Sequence, residues 1–85
     1  MPLFLVERNF AEKADFSEEE FRQIKQVTDE LGPDWVFTFL SSDKKKAYCL
    51  YEARDPEQLR EHANVVGIPA DSIMEVNRAW PQDAD

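Results

Sequence analysis

Ala47-Tyr48-Cys49-Leu50-Tyr51-Glu52-Ala53, Arg54-Asp55-Pro56-Glu57, an apolar-striped run to Val66, Gly67-Ile68-Pro69 and Ser72-Ile73-Met74-Glu75-Val76 follow one another without a break. They read as a strand, a capped helix and a second strand, one complete β-helix-β unit. Asp55 caps the helix, Pro56 takes the first-turn position that needs no N–H donor, and Gln58 stands three residues after the cap. Leu59, His62, Ala63 and Val66 form the helix's inward stripe, and Gly67 ends it.

Upstream, the same rules find three more elements. Leu3 to Arg8 is a short apolar run ending in charges, which suits a strand. Phe16-Ser17-Glu18-Glu19-Glu20-Phe21 starts a helix: Ser17 caps, Glu20 holds the capping-box position, and Phe16 and Phe21 are spaced as a hydrophobic staple. Phe21, Ile24, Val27 and Leu31, with Thr28 beside them, share one face of that helix before Gly32-Pro33 stops it. Trp35 to Leu40 and Ala47 to Ala53 flank the polar Ser41 to Lys44 as a hairpin, and Ser72 to Arg78 is the last strand. The order β-α-β-β-α-β gives an α+β fold, the ferredoxin-like sandwich of a four-stranded antiparallel sheet with both helices on one face. The domain is expected over residues 1–80, with 81–85 an acidic tail and Trp80 a packing or dimer anchor.

With its usual strand order, this fold places the first and third strands at the centre of the sheet. Small Ala47, Cys49 and Ala53 are expected under the helices, leaving Tyr48, Leu50 and Glu52 outside. Alternation extends this outer face to Leu3, Leu5, Glu7, Ile73 and Glu75, joined by Trp35, Phe37 and Phe39. So apolar a face calls for cover. A second copy of the sheet is the natural one, giving a homodimer with Leu5, Phe37 and Leu50 near its centre and a partly polar pocket between the sheets.

Composition narrows the partners. Among 85 residues, 18 are acidic and 10 basic, for a formal net charge of -8, which opposes the phosphate contacts that nucleic acids and anionic membranes require. A lone cysteine makes no internal disulfide, the opening Met-Pro-Leu-Phe-Leu-Val is too soon interrupted by charge for a signal peptide, and no apolar run approaches a bilayer's span. A cytoplasmic location is expected.

Few residues invite chemistry. His62, the sole histidine, should lie roughly level with Cys49, since seven helical residues from Asp55 climb about 10 Å and three strand residues cover a similar distance. Imidazole and thiolate are ligands for nickel, copper or zinc, and a nearby carboxylate such as Glu52 would extend the set to His62, Cys49 and Glu52. The bland competitor is a buried thiol beside a hydrogen-bonded histidine. Glu7, Glu52 and Glu75 lie too far apart for one carboxylate cluster, and Lys44-Lys45-Lys46 reads as a solvated hairpin edge. No catalytic or cofactor-binding residue stands out, and glycines occur only at helix ends, so a phosphate loop is excluded.

Leu5-Val6-Glu7-Arg8, Tyr48-Cys49-Leu50-Tyr51-Glu52-Ala53, Pro56-Glu57 with Arg60-Glu61-His62-Ala63, Gly67-Ile68-Pro69-Ala70 and Ile73-Met74-Glu75-Val76 together resemble the small bacterial domain of unknown function 4242 family. That family is similar to a nickel-binding, ferredoxin-like dimeric protein. The resemblance implies a dimer that binds or buffers nickel or another divalent transition metal. Two other classes stay open: a small-molecule-binding or cofactor-free enzyme dimer with a pocket on the open sheet face, and a non-catalytic interaction module.

Overall fold

In the computed structural model, which describes residues 1–79, six elements follow in the expected order: β1 (Leu3–Asn9), α1 (Glu18–Leu31), β2 (Asp34–Leu40), β3 (Lys46–Glu52), α2 (Pro56–Val66) and β4 (Ser72–Val76). The strands form one antiparallel sheet in the order β2-β3-β1-β4, so the two apolar-rich strands β1 and β3 lie at its centre. Trp80 and the acidic tail lie outside the described residues.

Local chemistry fixes the helices. At α1, Ser17 Oγ accepts from the Glu20 N–H at 3.1 Å while Glu20 Oε1 accepts from the Ser17 N–H at 3.4 Å, a complete capping box. The Phe16 and Phe21 rings close the staple edge to face at 5.6 Å. Asp55 caps α2 through the Gln58 N–H at 2.9 Å. The Gln58 side chain then bridges outward, accepting from the Arg54 N–H and donating to the Leu31 carbonyl at the end of α1.

Register divides the sheet into two faces. Phe4, Val6 and Arg8 of β1 lie opposite Tyr51, Cys49 and Ala47 of β3 on the helix side, where the core cluster of Phe4, Val6, Cys49, Tyr51 and Leu59 is buried. On the outer face Met74, Leu5, Leu50 and Phe37 form one row across all four strands.

Three expectations are corrected. Ile73 and Glu75 face the helices, because Asp71 pins the entry to β4: its N–H donates to the Glu7 carbonyl, its carboxylate accepts from the Asn9 N–H, and Ile73 is thereby set opposite Val6. Trp35 also lies on the helix side, opposite Tyr51, since a bulge at Val36 shifts the register before Phe37. β4 ends at Val76 rather than Arg78, because its pairing partner β1 starts at Leu3 and the preceding Pro2 has no N–H to extend the ladder.

Candidate functional site

The helix-side faces of β1 and β3 supply the floor of the site. Alternation along Phe4, Val6 and Arg8 turns a guanidinium inward, and only 3% of Arg8 is exposed. Its Nη1 donates to the Pro69 carbonyl at 2.8 Å and its Nη2 to the Tyr51 hydroxyl at 3.0 Å. No carboxylate among the described residues pairs with it. Tyr51 does not supply the missing charge, because burial, against the opposing pull of Arg8, pushes its hydroxyl up to about 12.

α2 lays His62 over this floor, its ring edge to face with Tyr51 at 5.4 Å, and α1 meets it with Thr28. Thr28 Oγ1 lies 2.7 Å from both His62 Nε2 and the Ile24 carbonyl oxygen. A carbonyl can only accept, so the single hydroxyl proton goes to Ile24, and Nε2 carries the proton that it donates to Thr28. Nδ1 is left as a bare acceptor, buried and without a hydrogen-bond partner among the described residues. Desolvation, with the charge of Arg8 adding to it, pushes His62 down to about 4, so the ring is neutral at physiological pH.

Arg8, Cys49, Tyr51 and His62 all reach one cavity of about 50 Å³, whose remaining walls include Phe10, Phe16, Phe21 and Trp35. Cys49 and His62, predicted together, therefore do meet at one space. Glu52 does not join them. It projects from the opposite face, half-buried, across from Asp34 on β2 and with Oε1 3.8 Å from Arg78 Nη2. Glu7 occupies the outer face at the other end of the sheet, and Glu75 the helix side of an edge strand.

Among the described residues no group of three or more histidine, cysteine, aspartate or glutamate side chains converges on a metal position. Two soft donors beside an uncompensated guanidinium do not fit a resident divalent cation, since the coordination shell is short and the neighbouring charge repels the ion. At the outer-face rim, Asp34 of β2 stands opposite Glu52 of β3. Lys44 holds a left-handed backbone at φ 61, and the Lys44 and Lys45 carbonyls accept from Ala14 and Phe10, so the lysine run builds the hairpin.

Sequence reading missed Arg8 and Tyr51. The signal was present in the inward series Phe4, Val6, Arg8, where a charge occupies a core position. None of the described helices is long and apolar enough to cross a membrane.

Comparison with known proteins places these features in context. The family described as SCO4226-like, nickel responsive protein SCO4226-like, matches residues 4–76. The crystal structure of SCO4226 from Streptomyces coelicolor A3(2) superposes with a TM-score of 0.70 over 92% of this chain and 99% of that one, at 17% sequence identity. At that identity the likeness shows the fold alone. No curated protein matches the chain.

Proposed function

Because the chain belongs to the nickel responsive SCO4226-like family, matched over residues 4–76, we propose that it is a small metal-responsive homodimer that binds nickel or another divalent transition metal at the acidic rim of its outer sheet face. The domain of unknown function 4242 resemblance is carried into the same reading. The observation that supports it is the arrangement of that face: an apolar row, Met74-Leu5-Leu50-Phe37, runs beside a row that ends in opposed Glu52 and Asp34. The apolar row favours a second copy, and each copy brings two carboxylates. Bound there, the ion would draw together like charges that face each other across the strands, in competition with Arg78, whose Nη2 lies 3.8 Å from Glu52 Oε1. Oxygen donors select nickel less sharply than imidazole does, so the reading implies modest affinity and competition from other divalent ions.

His62 and Cys49 are the other proposed seat, and the buried Arg8 charge weighs against it. Nickel titration of protein purified without a histidine tag separates the two, with metal stoichiometry read per chain. Glu52→Gln and Asp34→Asn are expected to weaken binding roughly tenfold or more, a loss of about 1.4 kcal/mol, while His62→Ala and Cys49→Ala bind as the parent does. The reverse pattern would move the site to the helix side. A dimer that takes up no metal in any form would leave the interaction module as the better reading.

A further inference from the structure

Six aromatic rings follow one another around the helix-side cavity. Phe10, Phe16, Phe21, Trp35, Tyr51 and His62 form an unbroken chain of neighbours with ring centroids 5.4 to 6.3 Å apart, and all six line the same space. They come from the end of β1, from α1 and its approach, and from β2, β3 and α2, so only the folded chain assembles them. Beneath them lie Ala47 and Cys49, buried side chains too small to fill the space.

The lining selects the guest by charge. No polar atom opens onto the cavity: the Arg8 donors are spent on the Pro69 carbonyl and the Tyr51 hydroxyl, and His62 Nδ1 is buried out of its reach. A water, which needs polar partners, finds none, and an anion finds no donor. Aromatic cages elsewhere hold quaternary ammonium groups, but here Arg8, 3% exposed and without a carboxylate partner among the described residues, repels a second cation. A neutral apolar guest is left, and an aromatic one also gains edge-to-face contacts with the surrounding rings. Size then sets how it enters. About 50 Å³ exceeds the ~30 Å³ that one water occupies and falls short of the ~150 Å³ apolar cavity that admits benzene, so a ring enters only where a wall yields. That wall is α1, whose only buried residue is Thr28 and whose Phe21 is 37% exposed. We infer that the cavity binds a small neutral aromatic molecule of a single ring, admitted as α1 gives way from the sheet. Phe10, Phe16, Ile24 and Ile68 also line an adjoining surface groove, which marks the side of entry.

Ala47, Ile24 and Ile68 carry methyl groups at the cavity, while Leu50 and Met74 carry them on the outer face, so methyl NMR tells the two apolar surfaces apart. Tag-free protein at neutral pH, with chelator present to exclude metal, is titrated with benzene, and in parallel with tetramethylammonium chloride and sodium acetate. Benzene should shift the Ala47, Ile24 and Ile68 methyls saturably, with half-saturation on the order of millimolar for a ligand of so few atoms, and raise Tm. Neither salt should move these methyls. Ala47→Val fills the cavity from the sheet side and should abolish the benzene response in a folded protein. Where that variant loses its fold, Phe21→Ala carries the test: it removes one ring from the yielding wall, at a position already partly exposed, and should tighten benzene several-fold. Benzene shifts confined to Leu50 and Met74 overturn the inference, as does a folded Ala47→Val or a Phe21→Ala that responds as the parent does, or an equal response to tetramethylammonium. None of these results bears on metal at the opposite face.

Discussion

Held 1% exposed between Thr28 and Tyr51, the neutral ring of His62 ties folding to pH. Its pKa falls from 6.5 to about 4 on folding, so between those values the unfolded chain binds the proton that the native one refuses. Stability therefore rises with pH through that window, and the His62 contribution is complete above about 6.5 and lost as pH falls towards 4. The shift corresponds to roughly 3 kcal/mol. Denaturant unfolding of the parent and of His62→Gln, from neutral pH to 4, should show this slope in the parent alone; parallel curves would contradict the assignment. How far such a residue can be read from sequence depends on which forces act on it. The inward stripe Leu59, His62, Ala63 announces that His62 is buried, because periodicity reports burial. In β1 the alternation Phe4, Val6, Arg8 likewise turns Arg8 inward, but it does not reveal what holds the guanidinium, a carbonyl of the loop after α2 that lies 61 residues away. Glu52 was legible: the alternation that puts Cys49 under the helices also puts Glu52 on the outer face, and that already argued against grouping it with Cys49 and His62 as a ligand.

At the scale of elements, the two helix-ending glycines look alike in sequence and differ in space. Gly32 has φ 110, and a Cβ there would lie 2.6 Å from Gln58 Nε2, the atom that donates to the Leu31 carbonyl; Gly67 has φ 72 with nothing within 4 Å. Gly67→Ala should cost only the left-handed backbone penalty, about 1–2 kcal/mol. Gly32→Ala adds to it the loss of the Gln58 bridge, about 0.5–1.5 kcal/mol more, and its φ lies further from the left-handed minimum. Thermal unfolding should accordingly place Gly32→Ala several degrees below Gly67→Ala, at about 4–8 °C per kcal/mol for a domain of this size; equal Tm values would show that Gln58 contributes nothing there. Caps and stops were legible because each is written within four residues of itself. Strand faces were less so. The bulge at Val36 reverses Trp35 relative to Phe37, and the Asp71 anchor reverses β4, since both depend on what the neighbouring strand offers.

For the whole molecule, helices cover one face of the sheet and leave the other to solvent or a partner. Phe37, Phe39 and Met74 are 56%, 60% and 58% exposed, and the Phe37 and Phe39 rings lie 4.9 Å apart. Side chains this large, set around half-buried Leu5 and Leu50, make a continuous patch of the kind that marks an interface. The alternation in β1 and β3 foretold the patch; what it could not foretell was that Ile73 and Trp35 would leave it, while Met74, two bonds of adaptable thioether, would extend it to the fourth strand. The row Met74-Leu5-Leu50-Phe37 gives the proposed dimer its centre at Leu50, flanked on both sides by apolar neighbours. Burying one such leucine is worth roughly 1.5–3 kcal/mol, and a two-fold contact counts each residue twice. Leu50→Asp places two carboxylates near that centre, where they would face each other without solvent, so it should dissociate the dimer and lower stability together. Sedimentation of parent and variant at micromolar concentration, with chelator present so that metal does not bridge the copies, is the decisive measurement. A parent that sediments as a monomer, with Leu50→Asp unfolding at the same denaturant concentration, would leave the outer face without this partner and deprive Asp34 and Glu52 of the second pair of carboxylates on which the metal reading depends.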